Sequence, residues 1–311
     1  MTIAPHPAPA GGCQLLEQAA QTLLDPQGRA VAAAVQWWDL PALGAADLRW
    51  PVAVFAPQDA AGTDQEPVLL LHGFDSSCLE FRRLVPLLRQ RTTVLVPDLF
   101  GFGFTPRVPG AAYNPSGVLR HLEALLEQLQ SSMGVSQVGL IGASMGGSVA
   151  VELARRCPER ISRLLLLAPA GLTGRPMPVP PLLDGLGVRF LALPGVRRGL
   201  CRSAFADPDA SVGPAELEIA SLHLATPGWA EALACFARSG GFAGCGEPLP
   251  DQPLQVLWGA NDRILRAPQK RAALALLGER VRELEQCGHL PHLDQPALVD
   301  QAWAHLCEHV A

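Results

Sequence analysis

Two hydrophobic periodicities alternate along this chain. Residues 67–71, 93–96, 137–141, 161–167 and 254–257 are runs of strand length made mostly of apolar side chains. Such runs predict strands buried on both faces, as in a parallel sheet. Between them, apolar residues recur at helical spacing over 79–89, 116–130, 146–156 and 267–277. In 116–130, Leu119, Leu122, Leu125, Leu126 and Leu129 form one stripe. The pattern closes with a strand at 281–285 and a helix at 296–309. It opens with a helix at 14–24 and two short strands, 33–38 and 50–55. Pro41 and Gly44 lie between those two strands, which predicts an antiparallel pair.

The alternation breaks once. Between 174 and 250 there is no strong strand run, only short helical ones at 181–193, 215–224 and 229–239. The chain therefore reads as an α/β protein with an eight-stranded, mostly parallel sheet flanked by helices. Residues 1–173 and 251–311 form its core, and 174–250 form a helical lid inserted after the sixth strand.

Composition narrows the class. About half of the 311 residues are hydrophobic (49%), enough for a sizeable core. The formal net charge of −5 gives no basic face for nucleic acid. The eight cysteines show no paired metal-ligand spacing and read as free thiols of a reducing compartment. The first residues lack the charged and apolar regions of a signal peptide, and no run is long and apolar enough to span a membrane. A cytoplasmic chain is expected.

The chemistry starts at Gly142-Ala143-Ser144-Met145-Gly146, a G-x-S-x-G match. Chance alone gives roughly 0.1–0.2 such matches in a chain of this length, so the context matters. A predicted strand precedes it and a helix follows, which is the strand–turn–helix setting of a nucleophile elbow. Small neighbours, Gly142 and Gly146, suit a strained turn. The order Ser, then Asp or Glu, then His is met by Asp262 and His289, each just after a predicted strand.

The sequence resembles the α/β-hydrolase family from about residue 34 to 308. Four blocks carry the likeness: Leu71-His72-Gly73-Phe74, Asp98-Leu99-Phe100-Gly101-Phe102-Gly103, the serine elbow, and the Asp262 and His289 segments. The resemblance implies a serine hydrolase with Ser144 as nucleophile, His289 as base and Asp262 as acid. It further implies an oxyanion hole from the backbone N–H groups of Phe74 and Met145, supported by His72, Gly73, Gly142 and Gly146. No cofactor and no metal are needed. The expected partner is a small molecule.

Rival residues receive plainer roles. His72 precedes the serine and is expected to brace the oxyanion loop. His292 should fall in the first turn of a helix. His6, His121, His223, His305 and His309 read as surface or packing residues. Asp294, before Pro296, reads as a helix N-cap. Some relatives place the acid just after the sixth strand, but residues 168–172 hold no carboxylate, so the acid stays with Asp262. Ser144 at the elbow sets the chain apart from haloalkane dehalogenases and epoxide hydrolases of this fold, which use an aspartate there.

The lid is rich in apolar residues: Leu182, Leu183, Leu186, Phe190, Leu191, Leu193, Phe205, Phe236 and Phe242. These are expected to pack on the core and to line an apolar pocket over Ser144. Arg189, Arg197, Arg198 and Arg202 read as a solvated helix face. The favoured reaction is hydrolysis of a carboxylic ester with an apolar acyl or alcohol group. The same triad also serves C–C bonds, thioesters, amides and perhydrolysis, and a ligand-binding protein on this fold is the remaining reading.

Overall fold

The computed structural model describes residues 11–44, 47–56, 66–108, 110–181 and 183–308. Eight strands form one sheet: β1 (Val35–Trp38), β2 (Trp50–Phe55), β3 (Val68–Leu71), β4 (Val94–Pro97), β5 (Val138–Ala143), β6 (Ile161–Leu167), β7 (Leu254–Gly259) and β8 (Val281–Leu284). Their spatial order is β1-β2-β4-β3-β5-β6-β7-β8. β1 and β2 pair antiparallel, as does β2 with β4. From β4 to β8 every pair is parallel. β3, β4 and β5 are buried at every position, and a separate hydrophobic cluster covers each face. That is why these strands carry unbroken apolar runs instead of alternating ones.

Two local departures from expectation have simple causes. Asp25 accepts hydrogen bonds from the Gln27 and Gly28 amides and so starts a helix, Pro26–Ala33, that the apolar pattern did not announce. The expected helix at 79–89 is instead a 3₁₀ turn (Cys78–Phe81) and a single helical turn (Val85–Leu88). Pro86, without an N–H, cannot continue a helix from the preceding turn.

The insertion after β6 contains the helices Leu183–Leu191, Pro194–Ala204, Pro214–Leu222 and Trp229–Arg238 among its described residues. The chain then re-enters the sheet at β7. Among the described residues, no helix is long and apolar enough to cross a membrane.

Parallel register aligns the strand ends. Leu71 lies opposite Gly142, Ala143 opposite Leu167, Leu167 opposite Leu257, and Gly259 opposite Leu284. The segments leaving β3, β5, β7 and β8 therefore emerge along one edge. These are the segments that carry His72-Gly73-Phe74, Ser144, Asp262 and His289.

Candidate active site

Ser144 sits in the turn between β5 and the helix Met145–Arg156 with φ 51° and ψ −118°. A non-glycine residue rarely adopts this conformation, and it persists only where surroundings hold it. Here the Ser144 amide donates to Leu167 O (2.9 Å), and its carbonyl accepts from Gly147 and Ala170 (2.9 Å each). The turn leaves no room on its inner side. A Cβ on Gly146 would lie 2.0 Å from Leu71 O, so the β3 end and the elbow touch backbone to backbone. Gly142 lies within β5 just before the turn. A Cβ on Gly73 would stand 3.4 Å from Ser144 Cβ, which places the His72–Phe74 loop directly beside the serine.

The sheet edge brings the three distant residues into one chain of contacts. His289 Nε2 is 2.9 Å from Ser144 Oγ, and His289 Nδ1 is 2.9 Å from Asp262 Oδ2. Asp262 also accepts from Trp258 Nε1 (3.0 Å) and from the Ile264 and Leu265 amides (2.9 and 3.2 Å). Its side chain is fully buried. Burial opposes its charge, but His289 and the two amides outweigh it and hold the carboxyl below the ordinary aspartate value. With Nδ1–H donated to this carboxylate, Nε2 is the nitrogen left to accept from Ser144.

His72 stands apart from these three. Its Nε2 accepts from the Leu99 amide (3.0 Å), so Nδ1 carries the proton and donates to Gly73 O (2.8 Å). Burial keeps its pKa below the usual histidine value. The neutral ring thus ties the β3 loop to the segment after β4. Glu80, also buried, accepts from the Gly73 amide (3.4 Å) and lies 3.1 Å from His292 Nε2. Burial would raise its pKa, but His292, His72 and Ser76 lower it to about 2. His292 lies in the helical turn Pro291–Asp294.

Phe74 is partly exposed and borders two cavities. One, of about 270 Å³, holds Ser144 and His289 and is walled by Leu191, Leu200 and Phe205 of the insertion. The other, of about 300 Å³, is lined by Met145, Met177, Val179, Phe236 and Phe242. The first is not uniformly apolar: Asp75, Glu80, Arg82, Arg197 and Glu216 also reach its wall.

Those charges revise several expectations. Arg197 is not on a solvated face. Its side chain is largely covered, lies against Asp75 (Nη1–Oδ2 2.5 Å) and donates to Ala220 O. His223 does more than pack: Nε2 is 3.1 Å from Asp75 Oδ1, which also accepts from Trp229 Nε1 (2.8 Å). Burial raises the Asp75 pKa, but His223, Arg197 and Trp229 bring it below the ordinary value. Asp75 has φ 51°, so the residue after Phe74 is both strained and anchored by three side chains of the insertion. Nothing in the spacing of residues 75, 197, 223 and 229 announced this cluster, because each lies in a different segment.

Asp294 does not cap a helix. Its Oδ2 accepts from Gly288 N (2.7 Å) and Ala206 N (2.9 Å), pinning the His289 loop to the insertion. His289 N completes that joint by donating to Ala204 O (2.7 Å). Nor do all the insertion's apolar residues face the core. Leu183, Leu186, Phe190 and Leu193 are exposed. His121 is buried between Trp50 and Phe100 with neither ring nitrogen bonded. Leu182, His6 and His309 lie outside the described residues.

A mostly parallel sheet with a serine elbow, and an aspartate and a histidine at later strand ends, defines the class. Residues 68–302 match the model of the alpha/beta hydrolase family, and the chain belongs to that family. It is a hydrolase acting on a small molecule. It is 31% identical over 239 residues to the alpha/beta hydrolase domain-containing protein VTE7 of Arabidopsis thaliana, covering 75% of this chain and 71% of that one. It is 26% identical over 245 residues to 2-hydroxy-6-oxo-2,4-heptadienoate hydrolase of Pseudomonas putida (74% and 84%). Among solved structures, a thermophilic esterase from Thermogutta terrifontis superposes with a TM-score of 0.63 at 24% identity, over 84% and 94% of the two chains. That last likeness is one of fold.

Proposed function

We propose that the chain hydrolyses carboxylic esters through an acyl-enzyme on Ser144. The single observation that carries the reading is the continuous Ser144–His289–Asp262 contact chain, with 2.9 Å at both joints. A serine hydroxyl is a weak nucleophile until a base takes its proton. His289 Nε2 accepts that proton as Ser144 Oγ bonds to the ester carbonyl carbon. Asp262 holds the Nδ1–H tautomer and stabilises the imidazolium. The carbonyl oxygen gains charge and is met by the Phe74 and Met145 N–H groups, the latter at a helix N-terminus. His289 then returns the proton to the alcohol oxygen as the C–O bond breaks. Water, deprotonated by the same nitrogen, attacks the acyl-enzyme and releases the acid.

Residues 1–173 and 251–311 act as the core and 174–250 as a cap over it. The second cavity, with Met145, Met177, Val179, Phe236 and Phe242, suits the apolar acyl or alcohol group. Charge in the first cavity favours a neutral substrate over an anionic one. Both arginines on its wall are already paired, Arg197 with Asp75 and Arg82 with Asp25 and Glu216. A dienoate such as the Pseudomonas relative's name specifies carries a carboxylate, which would need an unpaired cation here.

The test is labelling with a fluorophosphonate, read by mass spectrometry, beside a series of p-nitrophenyl esters of increasing acyl length. Labelling at Ser144 that vanishes in Ser144→Ala and His289→Ala is expected. Asp262→Asn should lower kcat about 10⁴-fold while the fold is kept. Failure of folded wild-type protein to label would move the ligand-binding reading to the front.

A further inference from the structure

The helix Leu183–Leu191 is amphipathic the wrong way round. Leu183, Leu186 and Phe190 fall on one side and are exposed, Leu186 by 60% and Phe190 by 59%. The opposite side is buried and carries Val188 together with Asp184, whose carboxylate is bound to Arg238. A helix on a water-facing protein turns its leucines inward and its aspartate outward. Leu193 and Leu200, next along the chain, are also exposed, and so is Met177 (81%) just before the helix. Single exposed leucines are ordinary, but a cluster of six large apolar side chains on one segment marks an interaction surface.

Charge says what kind. Residues 174–202 contain five arginines (175, 189, 197, 198 and 202) and one aspartate (184), in a chain whose net charge is −5. Arg175, Arg189 and Arg198 are exposed, while the lone carboxylate is turned inward. Exposed leucine, phenylalanine and methionine beside arginines is the composition of a segment lying in a lipid headgroup layer. The remaining acidic surface would be repelled by the same layer, so attraction is confined to one face and orients the molecule.

We propose that the outward face of the Leu183–Leu191 helix and the start of the Pro194–Ala204 helix dock on an anionic lipid bilayer. The position serves the active site. Leu191, Leu200 and Cys201 from these helices line the cavity holding Ser144, and Met177 lines the second. A neutral ester dissolved in the bilayer would enter both cavities past the docked face. The docking itself does not rest on the ester-hydrolase reading, and it is measured without any substrate.

Full-length protein is floated with phosphatidylcholine vesicles, with and without a minor share of phosphatidylglycerol, at low and high salt. Wild-type protein is expected to float with the anionic vesicles and to be released by salt. Leu186→Glu with Phe190→Glu should lower the bound fraction by about tenfold or more, since two apolar side chains no longer enter the layer. Arg189→Gln and Arg198→Gln should each cost roughly fivefold on anionic vesicles and little on neutral ones. Thermal unfolding midpoints should stay close to the wild-type value in all four substitutions, as expected for exposed side chains, which shows that the variants fold. Wild-type protein that stays unbound, or variants that bind as tightly, would overturn the proposal. So would a wild-type dimer that the Leu186→Glu, Phe190→Glu pair splits with no vesicle binding, because the face would then belong to a second copy of the chain. Vesicle binding with no fluorophosphonate label at Ser144 would count against the ester reading alone.

Discussion

In β5, Val138, Leu140 and Ile141 are sealed from water on both faces, whereas in the inserted helix Leu183–Leu191 the leucines and the phenylalanine meet solvent and the aspartate faces inward. The sheet is held by apolar burial that runs through its central strands, β2 to β7. The insertion shares in that burial through Val188, Trp229, Leu233 and Phe236, but it is also tied to the core by buried polar joints: Arg197, His223 and Trp229 on Asp75, Ala206 on Asp294, and Ala204 on His289. Apolar burial is tolerant, because one lost contact among many is partly absorbed. A buried charge is not, because a lost partner leaves an uncompensated ion.

The sharpest test of this contrast is Asp75→Asn. Asparagine accepts the positive φ of this site, so the substitution removes charge without adding strain. It leaves the largely covered Arg197 without a counter-ion and should destabilise by about 3 kcal/mol, the low end expected for a fully buried pair. Adding Arg197→Met should recover much of that loss. Denaturant unfolding of the single and double variants measures the coupling, and additive losses would mean that the joint does not hold the insertion.

A paired truncation compares the two regions directly. Leu140→Ala in β5 should cost about 2–5 kcal/mol. Leu186→Ala, on the exposed helix face, should stay within about 0.5 kcal/mol. Equal costs would place Leu186 in a packed environment and erase the distinction.

Gly288→Ala asks whether the insertion positions the histidine. An added Cβ would lie 2.3 Å from Ala204 O, next to the His289 N–H bond to that same oxygen. A small displacement of the imidazole is expected to lower kcat roughly 10²-fold with little change in KM. Unchanged kcat would mean that the sheet alone sets the imidazole.

The smallest effect is expected at His121, inside the core. Burial holds its pKa at about 3, below the ordinary histidine value of 6.5. A histidine depressed in this way is neutral when folded, so its stabilising share is complete above 6.5 and is lost as the pH falls toward 3. His121→Leu should leave stability near pH 7 almost unchanged and flatten its decline across that acid window. The unfolding midpoint as a function of pH reads this out, and an unflattened decline would assign the acid sensitivity to other groups, such as Glu80.

Much of the core was legible in the sequence. Strands buried on both faces write themselves as apolar runs, and a strained elbow needs small residues at set positions, so β3 to β7 and the Ser144 turn follow from local rules. Asp262 and His289 were legible because each lies just past a strand end, in chain order. Asp75, Asp294, Arg197 and the outward leucines were not. The first three act through contacts between segments far apart in sequence, which no periodicity records. The leucines have helical spacing, and spacing states that one face is apolar but not which way it points. The sequence by itself therefore determined the sheet, its insertion point and the three residues at its edge, because burial and turn geometry act on neighbours along the chain. Only the tertiary structure decided how the insertion grips the Phe74 and His289 loops and which of its faces is left to the solvent, because those depend on charges and surfaces brought together from separate parts of the chain.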